Sequence, residues 1–297
     1  MAYFSTIDRN AAEGVHSCDT LTRDWTFVPS TPWPGAIAHR LKARLTERQP
    51  LPRRLILKGP SARKRWVLYF MFLPQGKVTP AHRFTLERLA ALNAGLFVIC
   101  ALPNPDAVPA AIFDYADAVA AKGLEGYDFS AYAIGLQTLA EKSPGCDLFV
   151  MNDSVFGPFT NLDQEMDTAS WDFTGYTAYS LIENHVQSYA FILKYVDQEK
   201  ERALRPVLPR DFVYNRYKDV VFQQETRLAR VASRSMSVGA KWYSHHLSSS
   251  EPAFFCALSL LEAGFPFLKK SVLHKMPGAY DLNTIGAVLE QLGHPRP

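Results

Sequence analysis

Three polar residues close an otherwise apolar run in Leu148-Phe149-Val150-Met151-Asn152-Asp153-Ser154. An amide, a carboxylate and a hydroxyl in that order can hold a hydrated divalent cation or the sugar hydroxyls of a nucleotide ligand. The same triplet also suits an Asx-turn at a strand exit. His185, Gln187 and Tyr189 recur at intervals of two, so an extended backbone sets them on one face, either lining a pocket or bonded within a sheet. Gly126-Tyr127-Asp128-Phe129 precedes a helical pattern. Gly126 fits a turn and Asp128 an N-cap, and a loop there can also approach a phosphate or sugar closely.

Glu225 opens Glu225-Thr226-Arg227-Leu228-Ala229-Arg230, a segment that Leu228 and Val231 would dock as a helix. A carboxylate at a helix start is favoured by the dipole by about 0.3–1 kcal/mol. The same group can serve as a general base. For transfer at a sugar anomeric carbon, one carboxylate must take the acceptor hydroxyl proton while another site steadies the departing diphosphate. Glu225 and the Asp153 site can divide those tasks. His245-His246 has no evident third ligand and reads as surface.

The elements that must position these residues follow an alternating pattern. Residues 66–73 form an apolar run of strand length ended by Pro74-Gln75-Gly76, residues 80–93 have helical spacing, and residues 96–102 are a second apolar run. Short strands are expected within 114–121 and over 147–151, with a helix over 130–142 between them. Later come a strand over 188–196 and helices over 225–237, 252–263 and 282–292. Alternating units of this kind predict an α/β domain with a mostly parallel central sheet, whose ligands bind beyond the carboxyl ends of the strands. Asn152 to Ser154 would sit there. Residues 1–65, rich in Pro, Ser, Thr and Arg, read as an N-terminal extension with one helix near 35–48, and 66–297 as the main domain.

The 297 residues are 47% hydrophobic and 21% charged, the balance of a globular protein. No apolar run reaches the roughly 18 residues of a membrane-spanning helix, and Met1 to Asn10 lacks a secretory pattern, so a cytoplasmic location is expected. Four dispersed cysteines suggest reduced thiols rather than zinc or disulfides. The net charge of +3 is uneven. Residues 40–65 hold ten Lys and Arg and one Glu, a local +9 that leaves −6 elsewhere. Such a segment is either a solvated helix and linker or a surface drawn to anionic membrane at the inner face of the plasma membrane. Nucleic acid is not expected, because no aromatic interleaving or binding motif accompanies the charge.

In this order, the segments resemble the rhamnan synthesis protein F family of bacterial proteins associated with rhamnose-containing cell-surface polysaccharides. The carriers are Gly126-Tyr127-Asp128-Phe129, residues 147–158, Asp172-Phe173-Thr174-Gly175-Tyr176, His185-Val186-Gln187-Ser188-Tyr189, residues 225–230 and residues 264–269. The resemblance implies a GT-A-like nucleotide-sugar-binding fold and a glycosyltransferase. It implies a nucleotide diphosphate sugar donor, with rhamnose or another deoxyhexose, and an oligosaccharide or lipid-linked glycan acceptor. Asp153 then stands where an Asp-x-Asp motif holds Mn²⁺ or Mg²⁺ against the diphosphate, although only one Asp is present. Glu225, three positions before Leu228, stands where the inverting base is found. Gly126, Tyr127, Asp128, Asn152, Ser154, His185 and Gln187 would bind donor or acceptor. The run Lys122-Gly123-Leu124-Glu125 departs from the family pattern. With the reduced triplet, it motivates a second reading, a catalytically silent carbohydrate-binding or scaffold subunit of a polysaccharide synthesis complex. A sugar-nucleotide nucleotidyltransferase is disfavoured by the lack of a glycine-rich phosphate loop.

Overall fold

The apolar runs of the sequence pair side by side in the structure, a computed structural model that describes residues 16–245 and 251–296. The expectations for Met1 to Asn10 and for His246 fall outside those residues. In chain order the principal elements are β1 (Thr22–Thr26), α1 (Pro34–Thr46), β2 (Arg54–Lys58), β3 (Arg65–Phe72), α2 (Pro80–Ala90) and β4 (Gly95–Ala101). Then come β5 (Ala118–Lys122), α3 (Tyr127–Lys142), β6 (Cys146–Asn152), β7 (Phe173–Ser180), β8 (Asn184–Val186) and β9 (Ala190–Val196). They are followed by α4 (Gln198–Leu204), α5 (Thr226–Ala232), β10 (Val238–Ser244) and α6 (Leu282–Gln291). The α/β class and the β3-α2-β4 unit are as expected.

Ten strands form one sheet in the order β1-β10-β7-β9-β6-β3-β4-β5-β2, with β8 paired to β7. Its centre, β6-β3-β4-β5, is parallel, and β10 is parallel to β7. The strand β9 runs antiparallel between β6 and β7, and β1 and β2 pair antiparallel at the two ends. Residues 1–65 thus supply both edge strands.

Strand side chains alternate between faces, which explains why the central strands are apolar throughout. Trp66, Leu68, Phe70, Leu148 and Val150 point to the α3 face, where Phe129, Tyr132 and Leu136 meet them. Val67, Tyr69, Met71, Phe149 and Met151 point to the α2 face and pack on Leu86, Leu89 and Phe267. Each such large side chain contributes about 1.5–3 kcal/mol on burial. Gly135 lets α3 approach the sheet closely, because a Cβ there would lie 2.5 Å from Leu68 Cδ2. The four cysteines are buried free thiols. No helix of the described residues is long and apolar enough to cross a membrane.

Candidate functional site

The four central strands end together. Phe72 is level with Ala101, Ala101 with Lys122, and Phe70 with Asn152, so the loops that follow share one rim. Period-two alternation then divides the polar triplet. Asn152 continues the α3 face of Leu148 and Val150, whereas Asp153 turns to the α2 face. The sequence candidates therefore separate into two clusters at the same edge.

On the α3 side, Asn152 is buried and its Nδ2 donates to Asp128 Oδ2 at 2.7 Å. Asn152 Oδ1 accepts from the Ser154 N–H at 3.0 Å and the Ser154 hydroxyl at 2.5 Å, the Asx-turn that the triplet permits. Asp128 lies in the first turn of α3 and Gly126 is its N-cap, so the N-cap expected at Asp128 falls two residues earlier. Only glycine suits that place. Gly126 has φ 84°, and an added Cβ would meet Val213 Cγ1 at 2.6 Å and Ser130 Cβ at 2.8 Å. Its N–H donates to Asn215 Oδ1 at 2.8 Å. Tyr127 is also left-handed, with φ 50°, a strain of roughly 1–2 kcal/mol that turns an aromatic ring to solvent at the rim. The buried Lys122 ammonium donates to the Gly123 and Glu125 carbonyls at 3.0 and 2.7 Å, so it fastens the loop that carries Gly126.

Glu225 faces Asp128 electrostatically. Burial first and the Glu225 charge second raise the Asp128 carboxyl to about 6, against the opposing Asn152 hydrogen bond. Glu225 Oε1 accepts from the Ser188 hydroxyl at 3.3 Å. The sequence placed Glu225 at a helix start, and the structure corrects this. Helical backbone begins at Tyr217, widens into a π turn over Val221–Glu225 and continues as α5. Glu225 is therefore inside a helical run, without the dipole contribution of a terminus. The π turn rotates its side chain toward Ser188, and such turns recur at functional sites. Arg40 of α1 holds the turn, donating from Nε to the Phe222 carbonyl and from Nη2 to Thr226 Oγ1, each at 2.8 Å.

His185, Gln187 and Tyr189 are all buried, and His185 lies within the field of Glu225. His185 Nδ1 donates to the Glu183 carbonyl at 2.9 Å, which leaves Nε2 as the acceptor. Burial lowers the His185 pKa, against the opposing charge of Glu225. Gln187 accepts from Thr177 Oγ1 at 2.7 Å and donates to Glu251 Oε1 at 2.9 Å, and Thr177 also bonds the Tyr189 hydroxyl. Burial alone would raise Glu251, but Lys269 and Lys275 hold it well below the usual carboxylate range. Sequence reasoning missed Glu251, Ser188 and Tyr217. Tyr217 is exposed, and its ring centroid lies 6.5 Å from that of Tyr127 at the rim. None belongs to a short motif with its partner, and Glu251 lies 64 residues from Gln187.

On the α2 side, Asp153 Oδ2 accepts from the Phe72 N–H at 2.8 Å and from His82 Nε2 at 3.3 Å. His82 Nδ1 accepts from the Thr79 N–H, so its proton is on Nε2 and points at Asp153. Burial lowers the Lys270 pKa, opposed by the charge of Asp153. Among the described residues no group of three or more His, Cys, Asp and Glu side chains suits a metal ion. Around Asp153 the chain offers one carboxylate, whose Oδ2 accepts two hydrogen bonds, and a single carboxylate is too few to hold Mn²⁺ or Mg²⁺ without oxygens from a substrate phosphate.

A family model described as rhamnan synthesis protein F matches residues 96–292. No curated protein matches the chain. Among the solved structures similar to this chain at low identity are these two. One is 4-diphosphocytidyl-2C-methyl-D-erythritol synthase from Anaerococcus prevotii, at 9% identity and TM-score 0.39, covering 66% of this chain and 96% of that one. The other is described as a nucleotide-diphospho-sugar transferase from Desulfovibrio desulfuricans, at 16% identity and TM-score 0.36, covering 77% of this chain and 98% of that one.

Proposed function

The chain belongs to the rhamnan synthesis protein F family, and on that premise we propose that it is a glycosyltransferase acting on a nucleotide diphosphate sugar. The donor sugar is rhamnose or another deoxyhexose, and the acceptor is a cell-surface polysaccharide or lipid-linked glycan. The observation that carries this reading is the coupled acidic pair of Asp128 and Glu225 at the carboxyl edge of the parallel strands, where α/β sheets bind ligands.

Glu225 takes the proton of the acceptor hydroxyl. That oxygen bonds to the anomeric carbon as the carbon–phosphate oxygen bond breaks, the nucleoside diphosphate leaves from the opposite face, and configuration inverts. Asp128 accepts sugar hydroxyls in its ionised form, oriented by Asn152 with Ser154 behind it. Gly126 and Tyr127 shape the rim, while His185 and Gln187 fix the adjoining buried wall. Asp153 works at the donor diphosphate through its neighbours: it orients His82 and favours the charged form of Lys270, whose ammonium opposes the phosphate charge.

A thermal-shift panel of nucleotide diphosphates and nucleotide diphosphate sugars tests the reading. A ligand at 100 times its dissociation constant stabilises by about 2.7 kcal/mol. One donor is expected to shift the transition selectively. If none does, the silent carbohydrate-binding reading, motivated by the single carboxylate at Asp153, takes its place.

A further inference from the structure

Away from the acidic pair, the helix α1 exposes one apolar stripe. Ile37, Leu41 and Leu45 recur at intervals of four and are 52, 61 and 77% exposed. The opposite face holds α1 to the protein through buried Ala36, Arg40 and Ala43. Exposure rising along a stripe is unusual for leucine in water, and its spacing is that of a helix lying on an interface.

Next to the stripe is a cavity of about 650 Å³ rich in arginine. Arg44, Arg48, Arg205, Arg210, Arg227 and Arg234 line it, with Asp211 as its single acidic residue. Arg205 and Arg210 share Glu201, at 2.9 and 2.6 Å. Among the described residues no ion pair engages Arg44, Arg48, Arg227 or Arg234. Arg48 lies over the Phe212 ring at 4.3 Å, and Arg227 bonds the Gln223 carbonyl at 2.8 Å. Burial, then Arg44 and Arg40, push the Arg227 guanidinium down to about 10, so an anion entering the cavity would relieve crowded positive charge.

Arg44 is one residue before Leu45 and three after Leu41, so it joins the stripe to the cavity on one side of α1. We propose that this surface docks the protein on an anionic lipid bilayer, with Ile37, Leu41 and Leu45 at the acyl boundary and lipid phosphates in the arginine cavity. The charge matches phosphate, and the adjoining apolar stripe selects a bilayer over a dissolved polyanion, which has no use for exposed leucines. The inference rests on the lipid-linked acceptor of the preceding reading for its purpose. Its geometry stands apart from it. The docked helix also carries Arg40, which bonds Phe222 and Thr226 on either side of Glu225, so the membrane-facing element is tied to the turn that bears the proposed base.

Co-sedimentation of the full chain with vesicles tests this without donor or turnover, so a failure here is distinct from a failure of the transferase reading. Vesicles of phosphatidylcholine with about one third phosphatidylglycerol are expected to pellet the protein, pure phosphatidylcholine is not, and salt should weaken the binding. Leu41→Glu with Leu45→Glu, and separately Arg44→Glu with Arg234→Glu, should each lower binding roughly tenfold or more. These residues are exposed, and an unchanged melting transition checks the fold. Leu41→Ala with Leu45→Ala serves as the milder stripe variant. No pelleting with anionic vesicles overturns the proposal. So does binding that the arginine variant abolishes but both stripe variants leave intact, because the site would then be for a dissolved polyanion such as pyrophosphate.

Discussion

Replacing Asp128 with Asn should stabilise the protein near neutral pH while impairing its proposed activity. The Asp128 carboxyl is raised from 3.8 to about 6, first by burial and then by Glu225. A raised acid contributes its favourable proton binding fully below pH 3.8, and that stability is lost as pH rises through about 6. At about 1.4 kcal/mol per pH unit, the interval caps the cost of the ionised form at about 3 kcal/mol. Asp128→Asn removes this dependence, and its amide oxygen can still accept from Asn152 with a hydrogen bond weaker by roughly 1 kcal/mol. The net gain at pH 8 is about 2 kcal/mol, or a few degrees in melting temperature for a chain of this size. Thermal melts of wild type and variant from pH 4 to 8 should show the two curves diverge through the window 4–6, with the variant higher at pH 8. If the difference between them is constant with pH, or the variant falls behind as pH rises, Asp128 and Glu225 are not a coupled pair.

Two further substitutions probe the scaffold. Gly126→Ala places a Cβ against Val213 and Ser130 in a left-handed backbone, and should cost roughly 2–4 kcal/mol in urea unfolding. Glu251→Ala leaves Lys269 and Lys275 without their shared carboxylate and Gln187 without its acceptor, a loss of about 3–5 kcal/mol at pH 7. Because Glu251 is held below its ordinary value, its contribution is present above about 4.5 and is lost as pH falls. The gap between this variant and wild type should therefore narrow on acidification.

Much of the scaffold was legible because β3, β4 and β6 are apolar on both faces and end at turn signals. The strand β7, Phe173–Ser180, was not, since Thr174, Thr177 and Tyr179 make it look half polar. Thr174 and Thr177 are buried because Thr174 bonds the Trp171 carbonyl and Thr177 bonds Gln187 and Tyr189 of the chain that folds back beside it, while half-buried Tyr179 packs its ring on His185. Short strands β1 and β2 have mostly exposed side chains and depend on pairing with β10 and β5, which no local pattern announces. The helix expected over 252–263 breaks at Cys256 into Pro252–Phe255 and Ala257–Glu262.

At the site, spacing located Asn152, Asp153, Asp128 and Glu225 but not their grouping. Alternation at the end of β6 sets Asn152 toward Asp128 and Asp153 toward His82, which consecutive letters conceal. The π turn at Glu225 is equally hidden, because the contacts that hold it come from Arg40 and from Gln223, whose side chain donates to the Arg40 carbonyl. The basic segment also resolves only in three dimensions. Arg53, Arg63 and Arg65 pair with Asp106, Asp117 and Asp167, whereas Arg44 and Arg48 turn into the arginine cavity.

The central claim is met most directly by release of nucleoside diphosphate from a nucleotide diphosphate sugar, compared in wild type and Glu225→Gln with donor binding measured in parallel. Wild type should release the nucleotide when acceptor is supplied, and Glu225→Gln should slow release by about 10²–10⁴-fold with donor affinity kept. Near-normal turnover by the variant, or no release by wild type from any donor that it binds, would contradict the account.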